Sequence, residues 1–232
     1  MKTLFEYINI NTKPSTIKAT DQTLYMIVAD ELKRLGKDAD LNHIDVSNVR
    51  DFYHSYHGLF KDTDFRGDVS KWNTSKAIRL HGIFMDCNNF NGDISNWDVS
   101  NASNMEELFY NCVKFNCDIS KWDVGKLKNA TRMFVSCESF NQDLSKWDIS
   151  NLDDATAMFA YCREFNCDIS KWNVKKLMIA RNMFDGCVKL DQDLSGWKLD
   201  KALTAERMFQ DCKLMTPEKK PKNINEYPFK RK

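Results

Sequence analysis

Residues 91–118 read NGDISNWDVSNASNMEELFYNCVKFNCD, and two spacings divide the stretch. Met105, Leu108, Phe109 and Cys112 stand at i, i+3, i+4 and i+7, the pattern that puts side chains on one face of a short helix. Ser103 followed by Glu106 suits a capping box at its start. In 94–99, Trp97 and Val99 flank a polar Asp98, which predicts a short strand with Trp97 and Val99 facing inward. The pair Phe115-Asn116 falls at the corner between the two, with Phe for the core and Asn for bonding turn backbone.

The stretch recurs along the chain. Tryptophans stand at Trp72, Trp97, Trp122, Trp147, Trp172 and Trp197, and cysteines at Cys87, Cys112, Cys137, Cys162, Cys187 and Cys212, both at one constant interval. Phe84, Phe109, Phe134, Phe159, Phe184 and Phe209 keep the same period, as do Asp68, Asp93, Asp118, Asp143, Asp168 and Asp193. Four ladders in one register define an internal repeat. A coil this short has no way to bury its own apolar face, so neighbours must cover it. The expected fold is therefore an α/β repeat solenoid with one short strand and one short helix per 25-residue repeat. Strands pack about 4.8 Å apart and helices about 8–10 Å, so the stack should curve with strands inside.

The pattern loosens at both ends. The strand motif of 45–49 resembles that of 98–101, but Phe60 arrives four residues late and the next loop is one residue short, a net insertion of three. Residues 44–72 read as a divergent first repeat with a lengthened helix through Phe52, Tyr56 and Leu59, and 73–214 as regular repeats, the solenoid spanning 44–214. Residues 1–43 do not repeat. Leu24, Ile27, Val28, Leu32 and Leu35 trace one helix face that Gly36 would end, which suits an N-terminal cap. Residues 215–232 form a basic tail; from Lys213 onward, six Lys and one Arg against two Glu give +5.

Over the 232 residues the formal charge is only +1, which argues against a surface devoted to nucleic acid and leaves the basic tail alone for phosphate contact. No apolar run is long enough for a membrane span, the first ten residues lack a secretory core, and no cysteine precedes Cys87; a cytoplasmic or virion-associated protein is expected. No phosphate-binding glycine loop or nucleophile elbow is present, so the expectation is no enzyme and no cofactor.

The cysteine ladder could suggest a metal or disulfides, but one cysteine per coil matches no zinc spacing and reads as buried free thiol. Cys117 and Cys167, two coils apart, are too distant to bridge. His54, His57 and His81 could gather on adjacent coils, yet no thiol or carboxylate is placed to join them, and no metal is expected. The aspartate ladder reads as turn capping rather than calcium binding. What remains is the polar rows beside the tryptophans. Lys71, Asn73, Asn96, Asp98, Lys121, Asp123, Lys146, Asp148, Lys171, Asn173 and Lys198 form the candidate protein-binding face.

The coil signature Phe-Asn-x-Asp-(Ile/Leu)-Ser-(Lys/Asn)-Trp-(Asp/Asn)-Val, with a Met-Phe pair in the following segment, resembles the BspA-like leucine-rich repeat family, including the 25-residue repeats of mycoplasma-type surface lipoproteins. The resemblance implies a right-handed, leucine-rich-repeat-like coil and adhesion or other protein binding at a bacterial surface. Related repeats also occur in phage and mobile-element proteins. The signal or lipid anchor of the surface members has no counterpart here, which favours a cytosolic or phage-borne protein. Where relatives often carry a small residue, this chain carries cysteine, which points to a reducing environment. The expected function is a non-enzymatic protein–protein interaction module; alternatives are a structural subunit of a phage particle or other assembly, or a surface adhesin. The partner is expected to be a protein.

Overall fold

In a computed structural model describing residues 15–53, 58–60, 63–222 and 224, the backbone of each coil is bonded to the next. The N–H groups of Met105, Glu107, Phe109 and Asn111 donate to the carbonyls of Asn129, Thr131, Met133 and Val135, at 2.7–2.9 Å. The same four bonds join Ala130, Arg132, Phe134 and Ser136 to Asp154, Thr156, Met158 and Ala160, and so on from Leu80 through Gly186. Parallel bridges mark the rungs: Arg79, Asn104, Asn129, Asp154, Ile179 and Thr204 pair in succession.

This ladder lies where a helix was expected. Residues 106–111 are turns, and Glu107 and Asn111 have φ of 54° and 59°. Leu108 N–H donates to Met105, Tyr110 to Glu107, Cys112 to Phe109 and Phe115 to Cys112. A β-turn brings its first and fourth residues to the same side. Met105, Leu108, Phe109 and Cys112 are all fully buried, and successive turns thus reproduce the i, i+3, i+4, i+7 signature of a helix. A helix would also need the N–H groups that here leave for the neighbouring coil.

The strand expected over 94–99 is also replaced by turns. Trp97 N–H donates to Ile94 and Ala102 to Val99, and Ser95 and Asn96 form the bend between. The apolar positions of the whole coil are turn ends, at i and i+3. With no helix in the regular coils, the expected mismatch between helix and strand spacing, and the curvature drawn from it, loses its basis.

Stacked rings fill the interior. Phe109 lies 5.7 Å from Phe84 with rings 2° from parallel and 5.5 Å from Phe134, while Phe115 lies against it at 3.9 Å. A second column runs Phe65, Phe90, Phe115, Phe140, Phe165 at 5.8–6.3 Å. Each stacked pair adds about 0.5–1.5 kcal/mol to the burial itself.

At the N-terminal end, β1 (Ile17–Lys18) pairs in parallel with β2 (Ile44–Asp45), Ile17 opposite Ile44. Between them α1 (Leu24–Leu35) buries Leu24, Val28 and Leu32, and Ile27 is partly buried against the core. Leu35, expected on this face, is 43% exposed, because the chain reverses at Gly36 (φ 84°) and re-enters the core at Ala39 and Leu41. Glu31 is buried in its place, bonded to Arg34 and to His43 Nε2 at 2.8 Å; the Arg34 guanidinium holds its carboxyl below the usual range.

In the divergent first repeat, the bridges Asp40–Asp68 and Asp51–Arg79 enclose a longer loop than any later pair, by the net insertion of three. Phe60 stacks on Phe84 at 5.5 Å. Of the lengthened helix expected there, Tyr56 lies outside the described residues, while Phe52 and Leu59 are buried in non-helical chain.

The left-handed positions, two per coil, invite a test whose sign reverses at a neighbouring residue outside that region. Ala157 has φ 52°, and a side chain in that region costs about 1–2 kcal/mol. Ala157→Gly should therefore stabilise the protein by roughly 0.5–1 kcal/mol after glycine's larger entropy loss. Ala155→Gly, at the fully buried turn end just before it, should destabilise by about 1–2 kcal/mol. Urea unfolding of both variants measures the difference.

Candidate functional site

Cysteine and tryptophan, the residue types that look most like site material, bond backward to the preceding coil. Cys112 Sγ lies 2.9 Å from the Phe84 carbonyl, Cys137 3.1 Å from Phe109, Cys162 2.9 Å from Phe134, Cys187 3.0 Å from Phe159 and Cys212 2.8 Å from Phe184. Trp97 Nε1 donates to Val69, Trp122 to Ile94, Trp147 to Ile119 and Trp172 to Leu144, at 2.9–3.2 Å. Burial pushes the thiols up, Cys87 and Cys212 to about 12.

Each ladder aspartate is held by its own turn. Asp93 Oδ1 accepts from Ser95 N–H at 3.0 Å and from its hydroxyl at 2.7 Å; Asp118, Asp143, Asp168 and Asp193 take the N–H of Ser120, Ser145, Ser170 and Ser195 at 2.9–3.0 Å. These bonds hold the carboxyls of Asp93, Asp118, Asp143, Asp168 and Asp193 below the usual aspartate range. The corner asparagines bond across coils: Asn91 Oδ1 accepts Asn116 N–H, Asn116 accepts Asn141, Asn141 accepts Asn166 and Asn166 accepts Asp191, at 2.8–3.0 Å. Their regular spacing was the visible signal; the partner in the next coil was not.

His81 packs edge-on against Tyr53 at 4.7 Å and faces Glu106 and Glu107 at 3.6 and 3.7 Å. His54 and His57 lie outside the described residues, among which no group of three potential metal ligands occurs.

All eleven residues of the candidate face are exposed: Lys71, Asn73, Asn96, Asp98, Lys121, Asp123, Lys146, Asp148, Lys171, Asn173 and Lys198. They alternate with the buried tryptophans, one residue before and one after. The acidic members are not free agents. Asp98, Asp123 and Asp148 accept N–H bonds from Ser100, Gly125 and Ser150 at 3.0 Å, and Asn73 and Asn173 do likewise from Ser75 and Lys175. Two kinds of lysine emerge. Lys76, Lys126 and Lys176 are tied to Asn48, Asn101 and Asn151 of the preceding coil at 2.6–2.7 Å. Lys121, Lys146 and Lys171, on three consecutive coils, make no ion pair within 4.0 Å among the described residues. Lys121, Lys146 and Lys171 recur in successive coils, whereas Lys76, Lys126 and Lys176 recur in every second coil, with Asn101 and Asn151 between them in the same row. The sequence shows that alternation but not the bonds it makes.

The tail turns back on the last coil as far as it is described. Pro217–Lys219 is a single 3-10 turn, the Lys219 carbonyl accepts from Leu194 at 2.8 Å, and the Lys220 ammonium sits 5.7 Å from the Phe209 ring centre. Residues 223 and 225–232 of the expected basic tail lie outside the described residues. No helix of the described residues is long and apolar enough to cross a membrane.

Two measurements check these assignments. In the folded protein a maleimide should label Cys117, the half-buried thiol, well ahead of the other seven, and denaturation should release all eight. The aspartate bonds contribute stability that is fully present above the unfolded-state value of about 3.9 and is lost as pH falls through the lower folded-state values. The urea midpoint should stay level from pH 7 to about 5 and drop below about 4, with a shallower drop in Asp143→Asn, which keeps the acceptor oxygen without the titration.

No curated protein and no solved structure matches this chain. A family model matches residues 28–145 and again 118–222, the overlap reflecting the repeat, and it carries no leucine-rich-repeat assignment. With the greater part of its length so matched, the chain belongs to the family described as Mycoplasma protein of unknown function, DUF285.

Proposed function

We propose that this chain is a non-enzymatic protein-interaction module, a repeat solenoid that offers the polar rows beside its tryptophans to a protein partner. The observation that carries the reading is the contrast between the two lysine rows. Lys126 and Lys176 are spent on Asn101 and Asn151, whereas Lys121, Lys146 and Lys171 stand exposed and without an ion-pair partner among the described residues. With the backbone on either side held by Asx turns, these exposed lysines recur once per coil and suit a partner with acidic groups spread along its length.

The non-enzymatic part rests on how the reactive residue types are used. Thiols raised by burial make poor nucleophiles, and the aspartates are committed to turn amides. By the same reading the protein acts in a reducing compartment, in the cytoplasm or on a virion, since the thiols of its eight cysteines are free.

Reversing Lys121, Lys146 and Lys171 to Glu together should leave the unfolding midpoint close to that of the parent, because none of the three supports the fold. Recovery of the partner by affinity capture from the native host, followed by mass spectrometry, should fall by about tenfold or more and be salt-sensitive in the parent. Retention of every captured protein by the triple variant would remove this face as the site.

A further inference from the structure

The ladder stops before its last rung is paired. At five successive interfaces, four alternate N–H groups of one coil donate to four carbonyls of the next, ending with Ala180, Asn182, Phe184 and Gly186 on Thr204, Glu206, Met208 and Gln210. The corresponding donors of the last coil are Ala205, Arg207, Phe209 and Asp211, and among the described residues none of them has an acceptor. The Leu203 carbonyl is likewise unclaimed among them, although its counterpart Met178 accepts from both Leu203 and Thr204. The described tail closes the aromatic column, with Lys220 over Phe209, and leaves this edge alone. Unpaired edges recruit strands.

The edge is nearly donor-only, and that selects its occupant. A second copy meeting it end to end about a two-fold axis would set N–H against N–H. What fits is a segment running parallel to 203–211 in the same run of turns and supplying a carbonyl at every second residue, as 204–210 supply them to the coil before. We propose that the C-terminal edge is a docking site for such a peptide segment of a partner protein, bound as one further rung of the backbone ladder. The side chains extend the specification. Leu203 is 61% exposed and continues a row from Met178, itself 39% exposed, so the segment carries an apolar residue there. Arg207, whose guanidinium lies 3.9 Å from the buried Asp185 of the coil before, continues the row in which Arg132 and Glu107 pair across coils at 3.0 Å, so an acid four positions further on in the segment would complete that row. This surface is separate from the lysine rows, and either can fail without the other.

Amide exchange followed by NMR on the full chain tests the edge. Ala205, Arg207, Phe209 and Asp211 should exchange on the order of 100-fold faster than Ala180, Asn182, Phe184 and Gly186. The probe is a synthetic peptide of residues 176–186 carrying Asn182→Glu, which places Met178 and the new acid in the required register. It should protect the four amides, and bind at least about threefold more tightly than the same peptide carrying Asn182→Arg. Leu203→Asp should weaken it by about tenfold, Arg207→Glu should reverse the preference between the two peptides, and Met26→Asp, an exposed site on α1, should change neither. Absence of binding overturns the proposal. So does protection of the four amides in the chain alone: if it survives dilution, the chain's own residues hold the edge, and if it appears only with self-association, a second copy does.

Discussion

The constraint on which everything else depends is that a coil of successive β-turns leaves half of its ladder amides without partners inside the coil. Turn bonds consume the N–H groups of Leu108, Tyr110, Cys112 and Phe115, and those of Met105, Glu107, Phe109 and Asn111 must go elsewhere. In a buried setting an unmade bond of this kind costs about 1–3 kcal/mol, so a lone coil is untenable and a neighbour is obligatory. The side chains repeat the logic. Cys112 and Trp122 reach back to carbonyls at Phe84 and Ile94, each already bonded once, so thiol and indole occupy second lone pairs. Cohesion between coils is therefore polar at the perimeter and aromatic within.

The period of the repeat and the identity of the buried positions could be read directly from the sequence, because both follow from which residues avoid water. Trp97, Phe109, Cys112 and Phe115 are buried as their spacing required. The backbone that buries them was not legible. A helix face and a run of turns both return side chains to one side at intervals of three and four, and the sequence of 105–112 satisfies either. What tips the balance is the destination of alternate amides, a carbonyl in the next coil that local spacing does not display. Even the left-handed residues give little sign, since Arg132, Ala157 and Tyr161 occupy positions where glycine would be easier.

At the candidate face the same limit holds. Lys121 recurs in successive coils and Lys126 alternates with asparagine, a difference plain in the sequence, but that the first makes no ion pair among the described residues while the second meets Asn101 was not. The aspartate ladder of Asp93 to Asp193 was legible as turn capping from residue type alone, since Asp two positions before Ser is a local motif that needs no neighbour. Asp98, Asp123 and Asp148, expected on a strand, turn out to hold turns as well.

Stacking Phe84, Phe109, Phe134, Phe159 and Phe184 at 5.3–5.7 Å gives the molecule a fixed stride, and each stride brings a complete set of contacts. Length is thereby quantised. Duplication or loss of one whole coil anywhere between Leu80 and Gln210 would conserve every kind of bond in the stack, whereas a change of any other size would break its register. Such a molecule can lengthen or shorten its reach in evolution by unequal recombination of its own gene, without having to reinvent a core.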